Sequence, residues 1–231
     1  MGCMYKANGL YSRMSVGAVL LAAGAGSRMG GKPKALLELG GVPLIMRQLI
    51  ALSGAGVDEV AVVLGHHAAE IEAAIGQFPI TLVRNPAPED GQASSVRLGL
   101  QALSPKLDAV MVALADQPMI DAQDITALIS AFRRRGDKSM VVPRVQAEDG
   151  SLVPGNPVMF DAALRDQWLS GSAELTCRKW REQHPDSIFW LETANQHFVL
   201  DLDTPEDLER FSAKTGHVLH WPSSLHLSTT A

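Results

Sequence analysis

An α/β fold, with a mostly parallel sheet between two layers of helices, is what three features of this 231-residue chain predict. Short apolar, β-branched runs alternate with segments of helical period, which is the pattern of successive βα units. The first run, Val16–Leu21, is apolar apart from Gly17, as suits a strand buried on both faces. It leads straight into a glycine-rich turn, and open parallel sheets bind ligands just beyond the carboxyl ends of their strands. Nothing in the chain reads as a linker, so one folding unit is expected over 16–214. Residues 1–15 read as a flexible extension, and 215–231, rich in Ser, Thr and His, as a loosely ordered tail.

The strands are placed at Val16–Leu21, Glu59–Leu64, Ile80–Val83, Ala109–Leu114 and Ser139–Val142, with a further pair near Gly155–Phe160 and His197–Leu200. Pro43 stands where a helix begins, and Gly54 and Gly56 where it stops, which sets the first helix. The others are predicted at about Ala68–Ile75, Ser94–Leu103, Ala122–Arg135, Glu174–Gln183 and Pro205–Lys214. The polar, turn-rich Arg144–Gly155 segment reads either as a hairpin bordering an acceptor pocket or as a solvated surface turn.

Composition narrows the function. A formal net charge of −5 argues against a general nucleic-acid binder, whose phosphate contacts need a basic surface. Two cysteines, Cys3 and Cys177, exclude a disulfide framework and a cysteine-rich zinc site and suit a reducing compartment. No apolar stretch is long enough to span a membrane, and the first residues lack the apolar region of a secretory signal. A cytoplasmic protein is therefore expected, with neither nucleic acid nor membrane as partner.

Four places carry chemistry. In the first, Leu21, Ala22 and Ala23 lead into Gly24, Gly26 and Gly30, which let the backbone bend and turn its N–H groups towards phosphate oxygens. Arg28 and Lys34 add fixed positive charge there, a combination suited to a nucleoside triphosphate. The second follows the third strand, where Asn85 precedes Gly91, Ser94 and Ser95; the hydroxyls either cap the next helix or read a base edge. The third is Asp116, directly after an apolar strand and before Pro118, placed to hold a cation, with Asp121 and Gln123 nearer the job of capping the following helix. The fourth is Asp201-Leu202-Asp203-Thr204-Pro205. Thr204-Pro205 reads as a helix N-cap with proline at the first position, and alternation puts both carboxylates on one side if the segment is extended. Either could face a metal. Mg²⁺ characteristically takes one or two protein carboxylates and completes its shell with water and substrate phosphates, which fits one acid from each of these two segments.

Taken in order, LAAGAGSRMGGKPKALLELGG, GQASSVRLGL, LADQP, GNPVMF and DLDTPEDL resemble the cytidylyl- and guanylyltransferases of molybdenum cofactor maturation, within the wider group of NTP-dependent nucleotidyltransferases. The resemblance spans about Val16 to Phe211. It implies a Rossmann-like three-layer sandwich of the nucleotide-diphospho-sugar transferase type. It further implies that Arg28 and Lys34 contact the triphosphate, that Asp116 and Asp203 hold Mg²⁺, and that Asn85 and Gly91–Ser95 line the base and ribose pocket. Asp203 is preferred to Asp201 because it immediately precedes Thr-Pro-Glu-Asp. Ala23 gives the LAAG form found in the cytidylyltransferases, where guanylyltransferases tend to have LAGG, so the resemblance implies CTP as donor, a molybdopterin-type acceptor and a recipient molybdoenzyme as a possible partner. Three features depart from the family pattern. Lys32 is an extra cation before Pro33-Lys34, while Asn156, a candidate binding residue, stands where a histidine is usual and Gly171-Ser172-Ala173-Glu174 lacks the usual Gly-Asp-x-Gly-Arg character, both in the part expected to hold the acceptor.

Two rival readings are a dinucleotide-dependent oxidoreductase, because Gly24-x-Gly26 also resembles the start of an NAD-binding turn, and a delivery chaperone for a molybdoenzyme. The end of the second strand, Leu64-Gly65-His66-His67, speaks against the former, since it offers no acid to hold a ribose hydroxyl. His66 and His67 read as polar residues at a helix start, the Arg133–Arg135 run as a solvated helix end, and Trp168, Trp180 and Trp190 as packing residues.

Overall fold

In the computed structural model, which describes residues 13–147, 149–172 and 174–223, the first apolar run becomes β1 (Val16–Ala22), buried at every position. The chain continues through β2 (Glu38–Leu39), β3 (Val42–Pro43), α1 (Leu44–Gly54), β4 (Glu59–Leu64), α2 (Ala68–Ile75), β5 (Thr81–Arg84), α3 (Gln92–Ala102), β6 (Ala109–Leu114) and α4 (Ala122–Arg133). Next come β7 (Met140–Gln146), β8 (Leu152–Pro154), β9 (Val158–Asp161), α5 (Arg165–Ser170), α6 (Cys177–Gln183), β10 (Ile188–Thr193), α7 (Pro205–Thr215) and β11 (Leu219–His220).

The main sheet runs β10-β7-β9-β6-β1-β4-β5, with β8 hairpinned onto β7. Parallel pairing joins β1 to β4 and β6, β4 to β5, and β7 to β10, while β9 lies antiparallel between β6 and β7. The fold is thus the mostly parallel α/β sandwich that the alternating pattern predicts. From β1 the chain first builds outward through β4 and β5, then returns to place β6 on the other side of β1. That reversal opens a crevice beyond the carboxyl ends of β1 and β6. Apolar side chains of β1 fill both faces of the sheet: Val19 packs with Val96 and Leu100 of α3, and Ala18 with Leu52 of α1 and Phe132 of α4. Each such fully buried aliphatic or aromatic side chain contributes roughly 1.5–3 kcal/mol relative to exposure.

Most differences from the sequence reading are shifts of a residue or two at element ends. Four are larger. No strand forms at His197–Leu200; Gln196–Val199 is a 3₁₀ turn capped by Asn195, whose side-chain oxygen accepts from the His197 N–H. The edge strand is β10 instead. The helix predicted from Glu174 starts only at Cys177, because Thr176 caps it by accepting from the Lys179 N–H. The segment after α7 is partly built into the fold: Leu219 and His220 pair with Leu39 and Glu38, making β2, β3 and β11 a second, antiparallel sheet. At the other end, Ser15 donates to the Asp108 carboxylate at 2.7 Å and Arg13 pairs with Asp58. The remaining tail and extension, 1–12 and 224–231, lie outside the described residues. Arg135 is also no solvated cation, since it stacks on Phe132 and pairs with Asp161 at 2.6 Å.

Candidate active site

At the end of β1 the chain turns through Ala23 and Gly24 into the cationic loop. Gly26 adopts φ +60°, and a Cβ there would overlap the Lys32 carbonyl oxygen, so this turn requires glycine. Its carbonyl accepts from the N–H groups of Met29 (2.7 Å) and Gly31 (3.0 Å), which closes the loop on itself. Gly65, just after β4, has a different task. A Cβ at that position would lie 2.7 Å from Pro88 and 2.9 Å from the Ala23 methyl, so its absence lets the first and third strand-end loops approach each other.

Asp116 follows β6, and Asp203 lies just before α7, where Thr204 and Asp207 form a reciprocal cap: the Asp207 carboxylate accepts from the N–H groups of Asp203 (2.9 Å) and Thr204 (2.7 Å). The cap fixes the backbone that presents Asp203. Between the two acids stands Lys34, whose Nζ is 2.6 Å from Asp116 Oδ2 and 2.7 Å from Asp203 Oδ1. Arg28, two-thirds exposed, reaches the other oxygen of Asp203 at 2.9 Å. Burial works against the Lys34 ammonium, but Asp116 and Asp203 outweigh it and raise its pKa above the ordinary value. For Asp203, burial is likewise outweighed, here by the Lys34 and Arg28 contacts, and its pKa is lowered.

Asp201 shares the site. Its carboxyl is pushed up by burial and by the neighbouring Asp116 and Asp203 charges. Of the three acids it is the one without a cation in hydrogen-bonding contact. The cleft they face has a volume of about 380 Å³ and is lined by Leu21, Ala23, Gly24, Gly91, Ser95, Asp116 and Asp203 from the sequence-predicted set, and by Pro88, Gln92, Leu114 and Asp201 besides. Ala22 lies beside it, under Lys34, in a smaller 90 Å³ recess. Asn85 is buried one layer back, donating to the Ser94 and Ser95 hydroxyls at 2.9 Å each. Ser94 donates in turn to the Gly91 carbonyl at 2.8 Å rather than capping α3 through its side chain. Gly26 shapes the loop without lining the cleft.

Asn156 is not in this cleft. Its backbone N–H donates to the Phe198 carbonyl at 2.8 Å. Buried Gln117, next to Asp116, also donates to that carbonyl through its side-chain amide (3.1 Å), and buried Gln48 of α1 donates to the Gln117 carbonyl (2.6 Å). This chain ties the Asp116 turn to the Asn156 strand end. The sequence carried no signal for it beyond a glutamine in LADQP, because its partners are backbone groups 69 and 81 residues away. A second acidic group gathers Asp121, Asp124 and His197, with one potential ligand atom from each within 4.8 Å of the others. Here Asp121 caps α4, as the sequence reading expects.

A cationic loop at the end of the first strand thus faces acids from the turn after β6 and from the segment before α7, an arrangement whose chemistry suits phosphate groups and a cation. The family model for the MobA-like NTP transferase domain matches residues 18–188, and the chain belongs to that family as a nucleotidyltransferase. Over 198 residues it is 32% identical to nicotine blue oxidoreductase from Paenarthrobacter nicotinovorans, covering 83% of this chain and 94% of that one. It is 33% identical over 153 residues to 2-C-methyl-D-erythritol 4-phosphate cytidylyltransferase from Streptomyces coelicolor, covering 61% of this chain and 56% of that protein. Among solved structures, a nucleotidyl transferase from Methanothermobacter thermautotroptrophicus superposes with a TM-score of 0.68 at 26% identity, covering 87% of this chain and 97% of that one. No helix of the described residues is long and apolar enough to cross a membrane.

Proposed function

We propose that this nucleotidyltransferase moves CMP from CTP onto the phosphate of a small acceptor of the molybdopterin type, in the cytoplasm, with Mg²⁺ as its metal. The observation that carries the reading is the Lys34 ammonium held between Asp116 and Asp203 at the mouth of the cleft. One cation there already bridges two carboxylates, and a third, Asp201, adds further negative charge, so this set of hard oxygen donors fits a divalent cation. Asp116 and Asp203 would hold it, with Asp201 beside them; when bound, Mg²⁺ draws negative charge from the phosphate oxygens.

Binding of the triphosphate exchanges ion pairs. Lys34 and Arg28 turn from the carboxylates to phosphate oxygens. An acceptor phosphate oxygen attacks the α-phosphorus, the bond from that phosphorus to the bridging α–β oxygen breaks, and pyrophosphate leaves with the bond electrons. The nucleophile is already anionic and needs no base, so alignment and charge neutralisation by Arg28 and Lys34 supply the catalysis. Preference for cytosine rests on the Ala23 methyl, which stands close against Gly65 and, with Pro88, lines the cleft and narrows the space for a purine. On this reading Ala23→Gly raises GTP use relative to CTP by about tenfold, the discrimination one methyl contact typically gives.

A second reading, reduction by a nicotinamide cofactor, is favoured by one observation: the relative matched over 94% of its length is named an oxidoreductase. One experiment separates the two. The protein is incubated with each of the four NTPs, Mg²⁺ and phosphorylated pterin acceptors, following pyrophosphate, and in parallel with NADH or NADPH and oxidised dyes, following absorbance. Acceptor-dependent pyrophosphate release from CTP supports the transfer reading. Cofactor oxidation without any pyrophosphate release overturns it.

A further inference from the structure

Behind the cationic loop lies an apolar cluster that no part of the reaction above uses. It joins Met29 of the loop and Leu37 and Leu39 to Leu202, which stands between Asp201 and Asp203, and to Phe211 of α7. Leu219 and Trp221, from the segment after α7, pack against it. That segment makes two further contacts with the loop region. Leu219 and His220 pair with Leu39 and Glu38, and the Lys32 ammonium sits over the Trp221 ring, 5.2 Å from its centroid. Lys32 is the extra cation of the loop, and its backbone packs so closely against Gly26 that a Cβ there would overlap the Lys32 carbonyl.

We propose that Leu219–Trp221 is a working part of the triphosphate site, with Trp221 a positioning residue that seats Lys32 and thereby holds the glycine-rich turn in its anion-binding shape. A lysine over an indole face is attracted by the ring quadrupole while its remaining donors stay free. With Lys32 seated, the turn at Gly26 is fixed from outside, and Arg28 and Lys34 present their charge without first ordering the loop. Shape set in advance lowers the cost of binding rather than the barrier of the transfer step, so the effect belongs to nucleotide affinity. Residues beyond α7 therefore tune how tightly the nucleoside triphosphate is held.

The inference rests on the triphosphate reading of the cleft, and the test keeps the two apart. Binding of CTP with Mg²⁺ is measured by titration calorimetry on the full chain for wild type, Trp221→Ala, Trp221→Phe, Lys32→Met and the Lys32→Met/Trp221→Ala double variant, with kcat and KM for CTP alongside. Trp221→Ala is expected to raise Kd and KM by about tenfold while changing kcat less than threefold, with most of the loss restored in Trp221→Phe, which keeps a ring. In the double variant, Trp221→Ala should add less than twofold to the effect of Lys32→Met, because the two side chains act through each other. Should Trp221→Ala fail to melt cooperatively, Trp221→Leu, which keeps apolar bulk but no ring, replaces it in the single and the double variant, with the same outcomes expected. Wild-type Kd in Lys32→Met, or simple multiplication of the two effects, overturns it. A wild type that binds no nucleoside triphosphate overturns the reading of the cleft itself.

Discussion

Two groups of acids in this molecule have similar compositions and opposite chemistry. In the cleft, Asp116 and Asp203 are neutralised by the side chains of Lys34, which is mostly buried, and of Arg28, which is two-thirds exposed. At the start of α4, Asp124 is buried; one oxygen accepts from Asn195 Nδ2 at 2.5 Å and the other from the Asp121 N–H at 3.0 Å and His197 Nδ1 at 2.9 Å. Asp121 accepts from the N–H groups of Gln123 and Asp124. Those partners are mostly backbone groups and neighbours fixed by the fold. An acidic cluster satisfied by a helix end and a tight turn is committed to holding structure, whereas one satisfied by lysine and arginine side chains keeps carboxylate oxygens that, on the proposed reading, another cation can take.

The comparison is broken most severely by truncating one acid from each group. Asp116→Ala and Asp203→Ala should each lower kcat by about 100- to 1,000-fold, the scale of losing one electrostatic stabiliser of the transition state, with little change in melting temperature. Asp124→Ala should do the reverse. It removes the buried carboxylate that the half-buried His197 and Asn195 side chains share, costing about 1–3 kcal/mol, or roughly 2–12 °C of melting temperature for a chain of this size. Its kcat per folded molecule should stay within about threefold of wild type. Thermal melts and steady-state pyrophosphate release on the same preparations check both, and a large kcat loss in Asp124→Ala would merge the two groups.

A smaller effect divides the two sides of the site. Arg28→Ala should lower kcat by about 100-fold, because its charge is needed where charge develops on the phosphate. Asn156→Ala keeps the N–H that reaches the Phe198 carbonyl and removes a side chain that does not line the cleft, so on the acceptor-side reading it should raise the acceptor KM by about tenfold and leave the Kd for CTP unchanged. Weakened CTP binding in Asn156→Ala with an unaltered acceptor KM would place the acceptor elsewhere.

The smallest effect is one of pH and sharpens the distinction among the cleft acids, with the metal removed by chelation. Asp203 has a lowered pKa in the folded protein, so its ionised form favours folding; that contribution is present above the ordinary carboxyl value of 3.8 and is lost as pH falls through the lower folded value. Asp201 has a raised pKa, so its ionised form opposes folding; the penalty is absent below 3.8 and complete above the raised folded value. At pH 7, Asp203→Asn should lower the melting temperature and Asp201→Asn should raise it, each by roughly 1–3 °C. Both differences should shrink towards pH 3. Shifts of the same sign at pH 7 would contradict the charge arrangement.

The half of the fold around the cleft was legible because its strands are buried on both faces and so read as unbroken apolar runs: Val16–Ala22, Glu59–Leu64 and Ala109–Leu114 fall where the pattern puts them. The edge of the sheet was not. β10 carries Trp190 and Glu192 on a half-exposed strand, whereas Phe198 and Val199, an apolar pair beside a predicted strand position, pack in a 3₁₀ turn. Period alone does not separate an apolar pair packed in a turn from the end of a strand. In the site, alternation in Asp201-Leu202-Asp203 was enough to place both acids on one side, and both line the cleft. What no local pattern could supply is that Lys34 bridges acids 82 and 169 residues away, or that β11 returns to pair with β2. Those contacts are products of the topology.

The proposed exchange in the cleft is one in which a divalent cation takes, when the triphosphate arrives, the place that Lys34 keeps between Asp116 and Asp203. Its most direct test is calorimetric titration of CTP with and without Mg²⁺, on wild type and on the Asp116→Asn/Asp203→Asn variant. Wild type should bind CTP at least tenfold more tightly with Mg²⁺ than without, and the variant should show no difference between the two conditions. Equal affinity of wild type for CTP with and without the metal, or full Mg²⁺ dependence in the variant, would contradict it.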